Sequence, residues 1–175
     1  MKKLFFFKIT LIVFFSFFAN KTALAGDCEN VVVGKHEETL DCADDDTLLV
    51  IPGAEITVTS NKAVDAEGID DVTITVNNLS TIQATGTDTD TAIQGKSTLN
   101  LTVDNSGTIF AGRDFAIKLQ LADNITITNR ATGTIKTTKG LAGSQAAVGG
   151  IKMGNSGDCT EDDCFGLTLH HNPSS

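Results

Sequence analysis

Four side chains in this 175-residue chain have the types that acid–base chemistry on a sugar polymer needs. They are Asp88 and Asp90 in GTDTDTA, Asp104, and Arg113 beside Asp114. Carboxylates gathered around a basic side chain on one exposed strand face, with or without calcium, make an arrangement that can cleave acidic polysaccharides. Asp88 and Asp90 also read as a solvated Thr-rich turn. Arg113–Asp114 occupies the equivalent connection further on, where a surface ion pair accounts for it equally well. The catalytic reading therefore depends on whether Asp88, Asp90, Asp104 and Arg113 converge in a groove.

Metal chemistry has less to stand on. The acidic runs Asp44-Asp45-Asp46 and Asp158 with Glu161, Asp162 and Asp163 follow neither the EF-hand loop nor the glycine–aspartate nonapeptide. His170 and His171 are adjacent, and neighbouring strand residues point to opposite faces, so one metal is not expected to hold both. There is no nucleophile elbow, P-loop or dinucleotide fingerprint. No catalytic, metal-ligating or cofactor-binding residue is assigned, and no cofactor is expected.

The remaining reactive groups are Cys28, Cys42, Cys159 and Cys164. They fall into two short-range pairs without zinc-ligand spacing. In an oxidising compartment Cys28–Cys42 with Cys159–Cys164 is the simplest of the three connectivities. Each is expected to act as a local structural clip adding at most ~2–3 kcal/mol, because a short loop closes little chain entropy.

That compartment is implied by the first 25 residues. Lys2, Lys3 and Lys8 flank or interrupt a Phe-rich apolar run, and Ala23-Leu24-Ala25 closes it with small residues, the pattern of a secretory signal peptide cleaved near Ala25. The segment holds four Lys and no acid. Of the chain's 13 basic and 22 acidic residues, the 150 residues that follow therefore keep 9 and 22, a net charge of −13. A nucleic-acid partner is excluded on that balance. No later apolar stretch approaches the ~20 residues of a membrane-spanning helix.

The elements that must position these groups are announced by an internal repeat. VTITVNNLSTIQA from Val72 and LNLTVDNSGTIFA from Leu99 align without a gap at an offset of 27, matching Val76 to Val103, Asn78 to Asn105 and Ile82 to Ile109. NITITNRATGTIKT from Asn124 sets Ile127 beside Val103 and Asn129 beside Asn105, then reaches Gly133-Thr134-Ile135 after two extra residues. Ala92-Ile93 recurs as Ala116-Ile117, and Ala147-Val148 offers a further match. Within each copy apolar and polar residues alternate strictly, the period of a strand with one face buried.

One such copy cannot cover its own apolar row, whereas stacked copies can. Each strand then pairs in parallel with its equivalents about 4.8 Å above and below. The expected fold is all-β: a right-handed parallel β-helix, or solenoid, of about four coils. Residues 26–53, acidic and lacking the repeat, read as an N-terminal cap. Residues 54–175 form the coils, with a disulfide-clipped excursion at about 140–166, and the chain reads as truncated at its C-terminus. Asn78, Asn105 and Asn129 are expected to stack as a structural column in one turn. An antiparallel sandwich would also alternate, but would not keep side chains in step over thirteen positions.

The segments LNLTVDNSGTIFAGRDFAIKL and NITITNRATGTIKT resemble the rungs of bacterial autotransporter passenger domains, whose coils read Asn-x-Gly-x-Ile followed by an Ala-Ile pair. The resemblance covers roughly residues 54–139 and resumes at Gly166-Leu167-Thr168-Leu169. It implies an N-terminal portion of an exported, non-catalytic stalk or adhesin-like module on the outer face of a bacterium, presenting loops to a host or cell-surface ligand. Membrane association would come only through a C-terminal barrel missing from these 175 residues, and the open coil edge would permit self-association. The alternative is a polysaccharide-active lyase or hydrolase on the same scaffold.

Overall fold

A computed structural model describes residues 28, 31–59, 61–86, 90–138, 147–148, 150–153 and 168–171. The signal segment, Asp88, the Cys159–Cys164 pair and the acidic run at 158–163 lie outside the described residues. Alternating β-branched sequence produces short strands throughout, and no helix occurs among the described residues. A first turn of two-residue strands comprises β1 (Val31–Val32), β2 (Lys35–His36) and β3 (Leu40–Asp41). The second turn holds β4 (Thr47–Val50), β5 (Glu55–Val58) and β6 (Lys62–Asp65), and the third β7 (Thr73–Val76), β8 (Thr81–Ala84) and β9 (Thr91–Lys96). The fourth holds β10 (Thr102–Asn105), β11 (Thr108–Ala111) and β12 (Ile117–Gln120). The fifth has β13 (Thr126–Asn129), β14 (Thr134–Thr137), β15 (Ala147–Val148) and β16 (Ile151–Met153), and β17 (Thr168–His171) follows.

Equivalent strands stack into three sheets, ordered β1-β4-β7-β10-β13-β17, β14-β11-β8-β5-β2 and β15-β16-β12-β9-β6-β3. Every pairing among them is parallel except β15 with β16. This is a parallel β-solenoid: four full turns follow the short first one. Its interior is made of in-register columns. Leu48, Ile74, Val103 and Ile127 stack in the first sheet, Ile56, Ile82 and Ile109 in the second, and Val64, Ile93, Ile117 and Ile151 in the third. All are buried. Burying one Ile or Val side chain contributes about 1.5–3 kcal/mol, so these columns hold the coils together.

The corners depend on left-handed backbone. Gly68 (φ 75), Ser97 (φ 53) and Leu121 (φ 52) occupy one such position between the third sheet and the first, and Asp45, Asp71, Asn100 and Asn124 a second. Asn and Asp tolerate this conformation because their side chains bond locally. Here the Asn100 amide donates to Asp71 Oδ1 at 2.7 Å, and Asn124 donates in turn to Asn100 Oδ1.

Three sequence expectations need correction. Coiling begins before residue 54: β1, β2 and β3 pair in register with β4, β5 and β6, so the acidic segment continues the solenoid despite lacking the repeat. Asn78 does not join the Asn column, because Asn105 lies against Val76 and Val103 against Ile74. The corner after β7 has four residues (77–80) and the corner after β10 only two (106–107), so the ungapped alignment slides by two residues before that point. It recovers at Ile82–Ile109. The extra pair, Asn78-Leu79, bulges outward, leaving Leu79 at φ 64 and 79% exposed. Finally, Ile151 rather than Val148 continues the Ile93–Ile117 column, and Val148 turns back to pair antiparallel with Ile151.

Candidate functional site

Among the described residues, the structure places Asp104 apart from Asp90 and Arg113. Asp104 stands in β10 on the outer face of the first sheet, where Arg130 grips it with two charge-assisted bonds, Nε to Oδ1 at 2.6 Å and Nη2 to Oδ2 at 2.5 Å. Asp90 and Arg113 lie instead at successive corners leading into the third sheet. Asp90 is buried, and its carbonyl accepts the Asp114 backbone N–H at 3.2 Å. Asp114, also buried, accepts a bond from Lys118 Nζ at 3.0 Å. The described members thus divide between two places: Asp104 on one sheet, Asp90 and Arg113 at a corner of another. Arg130 was missed because its reach to Asp104 depends on register. It sits one coil on and two residues along, a diagonal cross-strand neighbour.

The acidic run 44–46 is a built turn. Asp46 is buried and its Oδ2 accepts the Ala43 N–H at 2.6 Å, while Asp44 Oδ1 accepts the Asp70 N–H at 2.9 Å. Cys28 and Cys42 come together beside Asp46, but their sulfurs are bonded to each other, so they offer no thiolate to a metal. His170 and His171 pair through β17 with Thr128 and Asn129.

The outer faces carry ordered ladders. On the first sheet Thr47, Thr73, Thr102 and Thr126 form one column. On the third sheet Asp41, Asp65, Gln94, Lys118 and Lys152 form another. Beside the latter, Glu67 binds Lys96 Nζ at 2.8 Å and Lys62 Nζ at 3.3 Å and accepts the Gln94 amide at 3.1 Å. The bond from Lys96, and then that from Lys62, hold the Glu67 carboxyl below its ordinary range against the opposing effect of burial. Burial alone would lower the Lys62 ammonium, but Asp65 and Glu67 together raise it. Two cations cover aromatic rings at the far end: Lys136 over Phe110 at 5.7 Å and Lys152 over Phe115 at 5.3 Å. These arrangements pair opposite charges and order the outer surface of the coils.

The fold and faces together define a parallel β-solenoid whose polar groups form ladders along its outer sheets. Set against protein-family models, curated proteins and solved structures, the chain matches none.

Proposed function

We propose that the chain is an exported, non-catalytic β-helical stalk or adhesin-like module, the N-terminal portion of an autotransporter-type passenger. A secretory signal opens it, and segments projecting from the coils meet a host or cell-surface ligand. The observation that carries this reading is the continuity of the buried columns from Leu48 to Ile127 along one sheet, with outward polar groups such as Asp104 and Arg130 engaged with each other. Stacked parallel rungs give a stiff rod in which each turn contacts only its neighbours, a means of holding a loop at a distance from a membrane. No helix among the described residues is long and apolar enough to cross a bilayer.

The test is to express the gene with its native downstream sequence in a Gram-negative host and treat intact cells with protease and with an antibody to the coils. Surface labelling and protease sensitivity of residues 31–171, together with an oxidised Cys28–Cys42 pair, are expected. Retention inside the cell with reduced cysteines would overturn the reading. The polysaccharide-active alternative keeps one observation, the two buried acidic residues Asp90 and Asp114 joined by a backbone bond between successive turns at one corner. It requires depolymerisation of an acidic polysaccharide that Asp114→Asn abolishes.

A further inference from the structure

The outer column of the third sheet has an order of charge that the fold alone does not require. Read from the N-terminal end of the solenoid, successive rungs present Asp41, Asp65, Gln94, Lys118 and Lys152. Two acids, one neutral amide and two bases therefore stand in line at the inter-strand spacing, about 19 Å from first to last. Rotated by a half-turn about Gln94, the column becomes its own electrostatic complement. Asp41 then faces Lys152, Asp65 faces Lys118, and Gln94 faces Gln94, whose amide can both donate and accept. Two columns set parallel would oppose Asp41 to Asp41 and Lys152 to Lys152.

We infer that this face is an isologous interface that pairs two copies of the chain antiparallel, side by side, with the two-fold axis passing at Gln94. Such an interface uses the same patch on both partners, so a sequence of charges that is self-complementary about its midpoint is what it needs. The groups on the face already have local partners that hold them in place. Asp65 pairs with Lys62, Lys118 with Asp114, and Lys152 lies over Phe115, while Asp41 is exposed at the end of the column. The pairing across the interface adds to these contacts without displacing them, because a carboxylate accepts several bonds and an ammonium donates three. The patch is small and charged, so the dimer belongs to the weak, salt-sensitive class. The inference stands apart from the passenger reading: it concerns a sheet face, and neither export nor a loop ligand enters it.

A charge-swap cycle on the outermost pair tests it. The parent chain, Asp41→Lys, Lys152→Glu and the double variant Asp41→Lys/Lys152→Glu are purified after oxidation of the cysteines. Thermal melting first establishes that each is folded, and sedimentation equilibrium then measures self-association at low ionic strength. The parent is expected to dimerise, each single variant to dimerise at least about tenfold more weakly because two repulsive contacts replace two attractive ones, and the double variant to recover. Dimerisation of the parent should fall away at about 1 M salt, where screening reaches about 3 Å. A merely structural role for Lys152 over Phe115 would not be rescued by Asp41→Lys. The inference is overturned if the parent is monomeric at millimolar concentration in low salt, if folded single variants associate as tightly as the parent, or if the folded double variant stays as weak as the singles.

Discussion

The side-chain amide of Asn105 donates to Asn129 Oδ1 at 2.8 Å across one rung of the first sheet, while its own Oδ1 accepts the Gly107 N–H at 3.1 Å. Asn105 is fully buried, and Asn129 passes the chain on by donating to the Gly133 carbonyl at 3.0 Å. Two turns are thereby tied through side chains at a corner that backbone bonds from Arg130 N–H to the Asn105 carbonyl and from Thr134 N–H to the Gly107 carbonyl also bridge. A polar group in the interior normally weakens a core, but here each partner is satisfied.

Replacing Asn105 with Ala leaves the Gly107 N–H and Asn129 Oδ1 without their partner. The expected loss is about 2–3 kcal/mol, read as a lowered midpoint in thermal or denaturant unfolding. Asn129→Ala, at a half-buried site nearer the end of the solenoid, should cost less.

Gly107 precedes β11, and a Cβ built there collides with the backbone carbonyl oxygens of Asn77 and Ser80 in the turn below. Backbone cannot move aside as a flexible side chain can. Gly107→Ala is therefore expected to destabilise by roughly 3 kcal/mol and to loosen hydrogen-exchange protection in β10 and β11 before β4 and β5.

Leu121 holds a left-handed conformation at φ 52 and is half exposed, in the column that Gly68 and Ser97 also occupy. The strain of an apolar side chain at positive φ is only partly compensated by burial there. Leu121→Asn should stabilise the protein by about 0.5–1 kcal/mol, seen as a raised melting temperature. Asn124→Val, at the neighbouring left-handed position, should do the reverse.

The Lys62–Glu67–Lys96 bridge joins the second and third turns and lowers the Glu67 carboxyl, chiefly through the bond from Lys96. A carboxyl whose folded-state value lies below its unfolded value of about 4.3 contributes stability that is fully present above that pH. The contribution is lost as pH falls through the folded value. Because the pair is partly solvated, it should amount to no more than about 1 kcal/mol and shrink in salt. Glu67→Gln is expected to flatten this part of the stability–pH profile below pH about 4.3, measured by urea unfolding.

Much of the architecture was legible in the residues themselves. Alternation of Ile, Val and Leu with Thr and Asn set the strands, and the recurrence of that pattern set the parallel stacking, because like rows must cover like rows to leave water. The columns Val103–Ile127, Ile82–Ile109 and Ile93–Ile117 and the Cys28–Cys42 pair follow from that reading. Lengths of corners are a different matter. A turn of two residues and one of four satisfy the same flanking strands, so chain pattern alone does not place the extra Asn78-Leu79. Only the packed coil, in which Ile74 must lie under Val103 to fill the interior, decides that Asn105 meets Val76 and Asn129. The separation of Asp104 from Arg113 and its capture by Arg130 arise the same way. Sheet membership is a property of the closed turn, and the neighbours of an outward side chain come from the rungs above and below it rather than from the residues beside it in the chain.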